Sequence, residues 1–189
     1  MDSVSDQLNF VMNQKLKIMK KFSIALATII LTSVIFLSLN KSKNMREIKT
    51  EITINASVEQ VWETFINVEK YKTWNPFIKS LTGNLEVGNQ ITVLLQPPGG
   101  RQMTFKPKVL VFDKNKEFRW LGKILVKGIF DGEHYFQFID NQNGTTTFIH
   151  GEKFNGVLIR FVGNILDSSK ISFELMNDAL KKEVEKTEV

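Results

Sequence analysis

The sequence contains no cysteine, which excludes disulfides and thiolate metal sites. This absence fixes no compartment, since cysteine-free chains occur on both sides of a membrane. Histidine is scarce too, with two in 189 residues. No third ligand stands at a recognisable spacing from them, so neither a metal nor another cofactor is expected. Tyrosine is equally thin, two residues against fifteen phenylalanines. That skew supplies large apolar area with few polar handles, as an apolar cavity or a Phe-rich core requires. There is no internal repeat and no low-complexity tract. The formal charge is +5 and the pI about 9.3. The lysines are spread out, however, and no basic stripe is interleaved with aromatics, so nucleic acid is not an expected partner.

Charge is missing altogether from one stretch, Phe22 to Leu39. Its eighteen residues would reach about 27 Å as a helix, close to the thickness of a bilayer's hydrocarbon core. Lys15, Lys17, Lys20 and Lys21 precede it, and Lys41, Lys43 and Arg46 follow. We expect a single-pass anchor. A cleaved signal segment is the alternative, although no Ala-x-Ala site follows the run. The expected organisation is a tail over 1–21, the anchor or signal segment over 22–39, a linker over 40–45 and one domain over 46–187. The domain is expected at the membrane, on the extracytoplasmic side.

Within the domain, Arg46 to Asn55 alternates with Ile48, Thr50, Ile52 and Ile54 on one face, and reads as a strand. Ser57 and Gln60 form a capping box ahead of Val58, Val61, Trp62, Phe65 and Ile66 at helical spacing. A second short helix over Asn67–Thr73 should stop at Asn75-Pro76. Six extended stretches follow: Ile78–Thr82, Gln90–Leu95, Met103–Phe112, Glu117–Lys123, Gly128–Asp140 and Thr145–Phe154. Pro97-Pro98-Gly99-Gly100 marks a turn among them. A helical stretch from Val157 to Lys186 closes the chain, with Gly163 and Asp167-Ser168-Ser169 as points of kinking or division. The order predicts an α+β fold, a seven-stranded antiparallel curved sheet wrapped around the long C-terminal helix. A ligand between them would need a void of about 300 Å³.

Phe130 to Gly156 carries the densest chemistry, including both histidines. Two registers are open at Gln142-Asn143-Gly144. A two-residue turn pairs His134 with Lys153. A three-residue loop with Gly144 left-handed pairs Phe138 with Phe148, Phe136 with His150, and His134 with Glu152. The second is preferred, because it sets ring against ring and histidine against carboxylate. Phe130, His134, Phe136, Phe138, Phe148, His150, Glu152 and Phe154 then share the concave face. A buried His134–Glu152 pair has three readings: it orients a polar ligand, it fixes the register by mutual satisfaction, or it acts as acid and base. Trp74 and Phe77 flank a rigid Asn75-Pro76 turn that would gate a cavity or plug the core. Trp120, Met176 and Asn177 complete the candidate ligand-binding set. Asn177 on an inner helix face would need a polar partner.

Ile54-Asn55-Ala56-Ser57 with Val61-Trp62, Trp74-Asn75-Pro76-Phe77 and Phe118-x-Trp120-x-Gly122 form the first half of a larger pattern. Phe130-Asp131-Gly132-Glu133-His134-x-Phe136, Thr146-x-Phe148-x-His150-x-Glu152-x-Phe154-x-Gly156 and Met176-Asn177-x-x-Leu180 complete it. Together they resemble the START-like ligand-binding superfamily, in particular its polyketide cyclase/dehydrase-like branch (SRPBCC). The resemblance covers Met45 to Glu185. It implies a Bet v 1-like helix-grip fold with a cavity for a small hydrophobic or amphipathic ligand, lipid-like or polyketide-like. It leaves activity open between carrier and cyclase/dehydratase-type enzyme, because fold does not settle function. No family catalytic motif maps cleanly onto the chain, so His134 and Glu152 stay candidates from their own chemistry, and a ligand-free interaction module remains a third reading.

Overall fold

The computed structural model describes residues 2–39, 45–124, 129–156, 159 and 163–186. Within these, the side chains of 2–11, 34–39, 124, 130 and 163–166 are not described. The chain divides into two compact units, Met1–Lys43 and Asn44–Val189.

The first unit holds one helix, α1 (Asp2–Leu39). All its described side chains are exposed, including Phe22, Ile24, Leu26, Ile29, Ile30 and Leu31. Thr28, Thr32 and Ser33 return their hydroxyls to carbonyls three or four residues back. Among the described residues, no helix is long and apolar enough to cross a membrane. The span expected over Phe22–Leu39 is therefore not found there.

The second unit opens with β1 (Arg46–Ile54), in which Ile48, Thr50 and Ile54 are buried, as their alternation predicts. Next comes α2 (Val58–Ile66). The Ser57 hydroxyl accepts from Gln60 N, and the Gln60 side chain accepts from Ser57 N, a complete capping box. The expected second helix is a 3₁₀ turn (Val68–Lys70) running into α3 (Tyr71–Trp74). It ends where Asn75, held before Pro76, turns extended at ψ 113°. The Asn75 carboxamide oxygen then accepts from the backbone N–H of Phe77 and of Ile78.

The strands are β2 (Ile78–Thr82), β3 (Thr92–Leu95), β4 (Met103–Phe105), β5 (Lys108–Asp113), β6 (Glu117–Ile124), β7 (Phe130–Asp140) and β8 (Thr146–Asn155). They make two antiparallel sheets rather than one of seven strands. Five strands run β1-β8-β7-β6-β5, and three run β2-β3-β4. The extra break falls inside the expected Met103–Phe112 strand. Pro107 has no N–H for a ladder and separates β4 from β5. The gap is sewn by Ile91 N donating to Pro107 O and Val109 N to Asn89 O, both near 3 Å. One helix, α4 (Gly163–Glu185), begins at one expected break point, Gly163, runs without division past the other, Asp167-Ser168-Ser169, and packs on β1, β8 and α2. Residues 157, 158 and 160–162, where the helix was expected to begin, lie outside the described residues. The arrangement is α+β, with a curved antiparallel sheet closed by the C-terminal helix.

Phenylalanine fills the space between. Phe65 of α2 sits within 4.7–6.3 Å, ring centre to ring centre, of Phe136, Phe138, Phe148, Tyr71 and Phe118. All six are buried. Truncating one such ring typically costs about 3–5 kcal/mol. The Phe excess is thus largely core.

Candidate functional site

β7 and β8 meet in the preferred register, with Phe138 opposite Phe148, Phe136 opposite His150, and His134 opposite Glu152. The loop closes with Asn141 N donating to Thr145 O, and Gly144 takes φ +83°. That conformation is open to glycine and closed to most side chains.

His134, however, has a closer partner than Glu152. Its Nε2 lies 2.7 Å from Nε2 of His150, whereas its Nδ1 lies 3.5 Å from Glu152 Oε2. His150 extends the chain across to the helix. Its Nδ1 is 3.2 Å from Asn177 Oδ1. Asn177 Nδ2 donates to Thr50 Oγ1 at 3.0 Å, and Thr50 Oγ1 donates to the His150 carbonyl at 3.1 Å. Every residue in this run from Thr50 to His134 is buried.

The direction of each bond follows from its far end. A backbone carbonyl can only accept, so the Thr50 hydroxyl donates to it and uses a lone pair toward Asn177. The Asn177 amide must then present N–H to Thr50 and its oxygen to His150. His150 therefore carries its proton on Nδ1. Burial, and next the neighbouring His134, hold its pKa well below the ordinary 6.5, so the ring is neutral and Nε2 is bare. The bare nitrogen accepts, so His134 donates from Nε2–H. One group is then left undetermined, the contact between His134 Nδ1 and Glu152 Oε2. Favourable contact there needs one proton between them, either as imidazolium and carboxylate or as neutral ring and carboxylic acid.

Rings enclose the two histidines. Phe173 stacks on His150 at 3.9 Å and Trp120 on His134 at 4.9 Å, both within 23° of parallel. Phe136 lies 4.6–4.8 Å from each, and Phe77 caps them at 6.4 Å. Phe148 sits 6.3 Å from His150, and Met176 is fully buried in the same core. Nine of the ten expected side chains are thus brought together in or beside one cluster. Trp74 is not among them. It packs edge-on against Tyr71 and faces a cleft of about 260 Å³ lined by Gln60, Glu63, Thr64, Asn67, Lys70, Glu183 and Val184. This cleft lies between α2, α3 and the end of α4, away from the histidines. Thr50 and Phe173 were missed. Thr50 had a signal: it is the one polar residue on the buried face of β1.

Glycine shapes the outer end of the cluster. Gly122 and Gly132 are opposite each other on β6 and β7, next to the Trp120–His134 pair on the same face. A Cβ at Gly132 would collide with Glu152 Oε1, so the missing side chain makes room for the carboxyl group. At Gly122, a Cβ would meet only the Gly132 carbonyl, at 3.8 Å. Among the described residues, nothing covers Gly122, the Glu152 carboxyl group covers Gly132, and Trp120 and His134 stand at the edge of this floor. The Glu152 side chain keeps 19% of its surface exposed, against 3% for His134. Among the described residues, no cluster of His, Asp or Glu could hold a metal ion.

Comparison with known proteins agrees with this architecture. Residues 45–185 match the family model described as polyketide cyclase / dehydrase and lipid transport. No curated protein matches the chain by sequence. Solved structures do. A START superfamily protein from Mycobacterium smegmatis aligns over 75% of this chain and 98% of its own, with TM-score 0.59 and 18% identity. Norcoclaurine synthase from Thalictrum flavum, in complex with dopamine and hydroxybenzaldehyde, covers 77% and 89% at TM-score 0.59 and 13% identity. A Streptomyces aromatase/cyclase covers 75% and 94% at TM-score 0.53 and 14% identity. At these identities the likeness is one of fold. With the model spanning the whole of the described second unit up to its last turn, the chain belongs to the polyketide cyclase/dehydrase and lipid transport family.

Proposed function

We propose that the domain binds a small hydrophobic or amphipathic molecule at the outer end of the histidine cluster. The observation that carries this reading is Gly122, uncovered among the described residues, beside a buried polar chain that ends, partly exposed, at Glu152. An apolar surface with a few convergent polar groups is the usual composition of a ligand site. The family supports the same reading, as do the small molecules in the Thalictrum enzyme's complex. Binding is favoured over catalysis because His134 is almost wholly enclosed by rings. Native mass spectrometry of the full detergent-extracted chain tests the proposal. A co-purified apolar molecule is expected, and its loss in Gly122→Leu, which fills the floor, would locate it. Repeated preparations free of any bound molecule, and unable to take one up, would overturn it.

The close stacking of Phe173 on His150, with Phe77 beyond both histidines, favours a second reading, a domain whose interior is its own core. The finer part of the proposal is attachment to a bilayer. It rests on the uncharged sequence Phe22–Leu39, flanked by lysines. Attachment would raise the domain's effective concentration where apolar ligands partition. Release into the soluble fraction at alkaline pH would remove that part and leave the binding proposal intact.

A further inference from the structure

The polarity of the buried chain dictates what kind of group a ligand can present to Glu152, and this deepens the ligand-binding proposal on which it rests. From Thr50 to His134 each proton has an assigned place, as derived above. The single remaining proton lies between His134 Nδ1 and Glu152 Oε2. It is on nitrogen in one form and on Oε2 in the other. In neither form is it on Oε1, the oxygen that lies over Gly132. Oε1 is therefore an acceptor in both forms: one oxygen of a carboxylate, or the carbonyl oxygen of an acid. Among the described residues, no donor reaches it.

We propose that the site selects ligands whose polar end donates a hydrogen bond, neutral hydroxyl compounds such as phenols and alcohols, and discriminates against carboxylates. A donor head placed on the glycine floor meets Oε1 directly. A carboxylate head sets acceptor against acceptor. Among the described residues, the groups facing Glu152 offer it no relief. Ile48 opposes Glu152 on β1, Phe154 opposes Gly132 on β8, Trp120 opposes His134 on β6, and Phe173 of α4 covers the rings. His134 is the one ionisable partner among them, and it is already engaged on both nitrogens. An unpaired acceptor facing another acceptor in a partly dry site carries a desolvation penalty that a matched pair avoids.

The test uses two fluorescent probes of one apolar body, 2-naphthol and 2-naphthoate, titrated into the full detergent-solubilised chain at pH 7. We expect naphthol to bind at least 10-fold more tightly. In Glu152→Gln, the gap should narrow several-fold, mainly through better binding of naphthoate once an amide N–H can stand where only acceptors stood. Equal binding of the two probes, or a preference for naphthoate, would overturn the donor rule and leave the ligand-binding proposal standing. Failure of both probes to bind at millimolar concentration would instead remove the ligand site itself, and the donor rule with it. The selectivity of the unaltered chain decides the matter even if the variant fails to fold.

Discussion

The two faces of β6, β7 and β8 treat their polar groups in opposite ways. On the inner face, His134, His150, Asn177 and Thr50 form a single buried file in which every proton has one place. On the outer face, Arg119 bonds Glu117 and Glu133 and lies 5.2 Å over the Tyr135 ring. The Tyr135 hydroxyl donates to Glu47, and burial, then that carboxylate, pushes its pKa up. Gln137 and Lys153 join from either side. The outer group is ionic, branched and partly exposed, and Arg119, Glu117 and Tyr135 each have more than one partner. The inner one is buried, so solvent does not stand ready to replace a lost bond. The same alternation along three strands thus yields a tolerant surface and an intolerant interior. What differs is access to solvent, which decides what a hydrogen bond is worth.

Substitutions can break this contrast, and the largest effect should come from the inside. Phe136→Ala, at the centre of the ring cluster, is expected to cost about 3–5 kcal/mol in urea unfolding. A loss below about 1 kcal/mol would show that the inner face is packed as loosely as the outer.

The second effect is one of pH. His150 has a folded pKa held below its ordinary 6.5 by burial and by His134. The folded state therefore binds fewer protons than the unfolded one as pH falls below 6.5. This contribution to stability is intact above 6.5 and is lost at about 1.4 kcal/mol per pH unit below it, until the folded value is reached. Melting curves between pH 7.5 and 5.5 should fall more steeply for the natural chain than for His150→Gln. Parallel slopes would mean that His150 is not held neutral. The smallest effect belongs to the surface. Arg119→Gln should cost at most about 1 kcal/mol, and added salt should shrink the difference.

Much of this arrangement was legible before any coordinates. The capping box at Ser57 and Gln60 is a local signal with a local cause, and it forms as read. The hairpin register was legible because Gly144 demands a left-handed turn and one register matches ring with ring. The divided strand was missed because Pro107 sits among residues that otherwise alternate well. The His134–His150 contact was missed for a different reason. Direct cross-strand pairing sets His150 against Phe136, and only the diagonal neighbour brings the two imidazoles together. Thr50 and Phe173 belong to the first strand and the last helix, and no local pattern announces a contact over such a separation. Trp74 shows the reverse error. It stands three residues from Phe77, yet the turn at Asn75 sends the two rings to different surfaces.

The pairing of β1 with β8 has a consequence for how the protein is made. Arg46 lies opposite Phe154, and Asn177 reaches back 127 positions to Thr50. On a ribosome, β1 emerges ahead of the rest of its domain and waits for almost all of it before its partner strand and its covering helix exist. Contacts this distant in sequence close late and slowly. Until they do, β1 shows an open edge and an apolar face, the kind of surface on which nascent chains associate wrongly. The domain is sealed by its own final helix, so a ribosome that stalls before α4 leaves β1 and β8 without their cover.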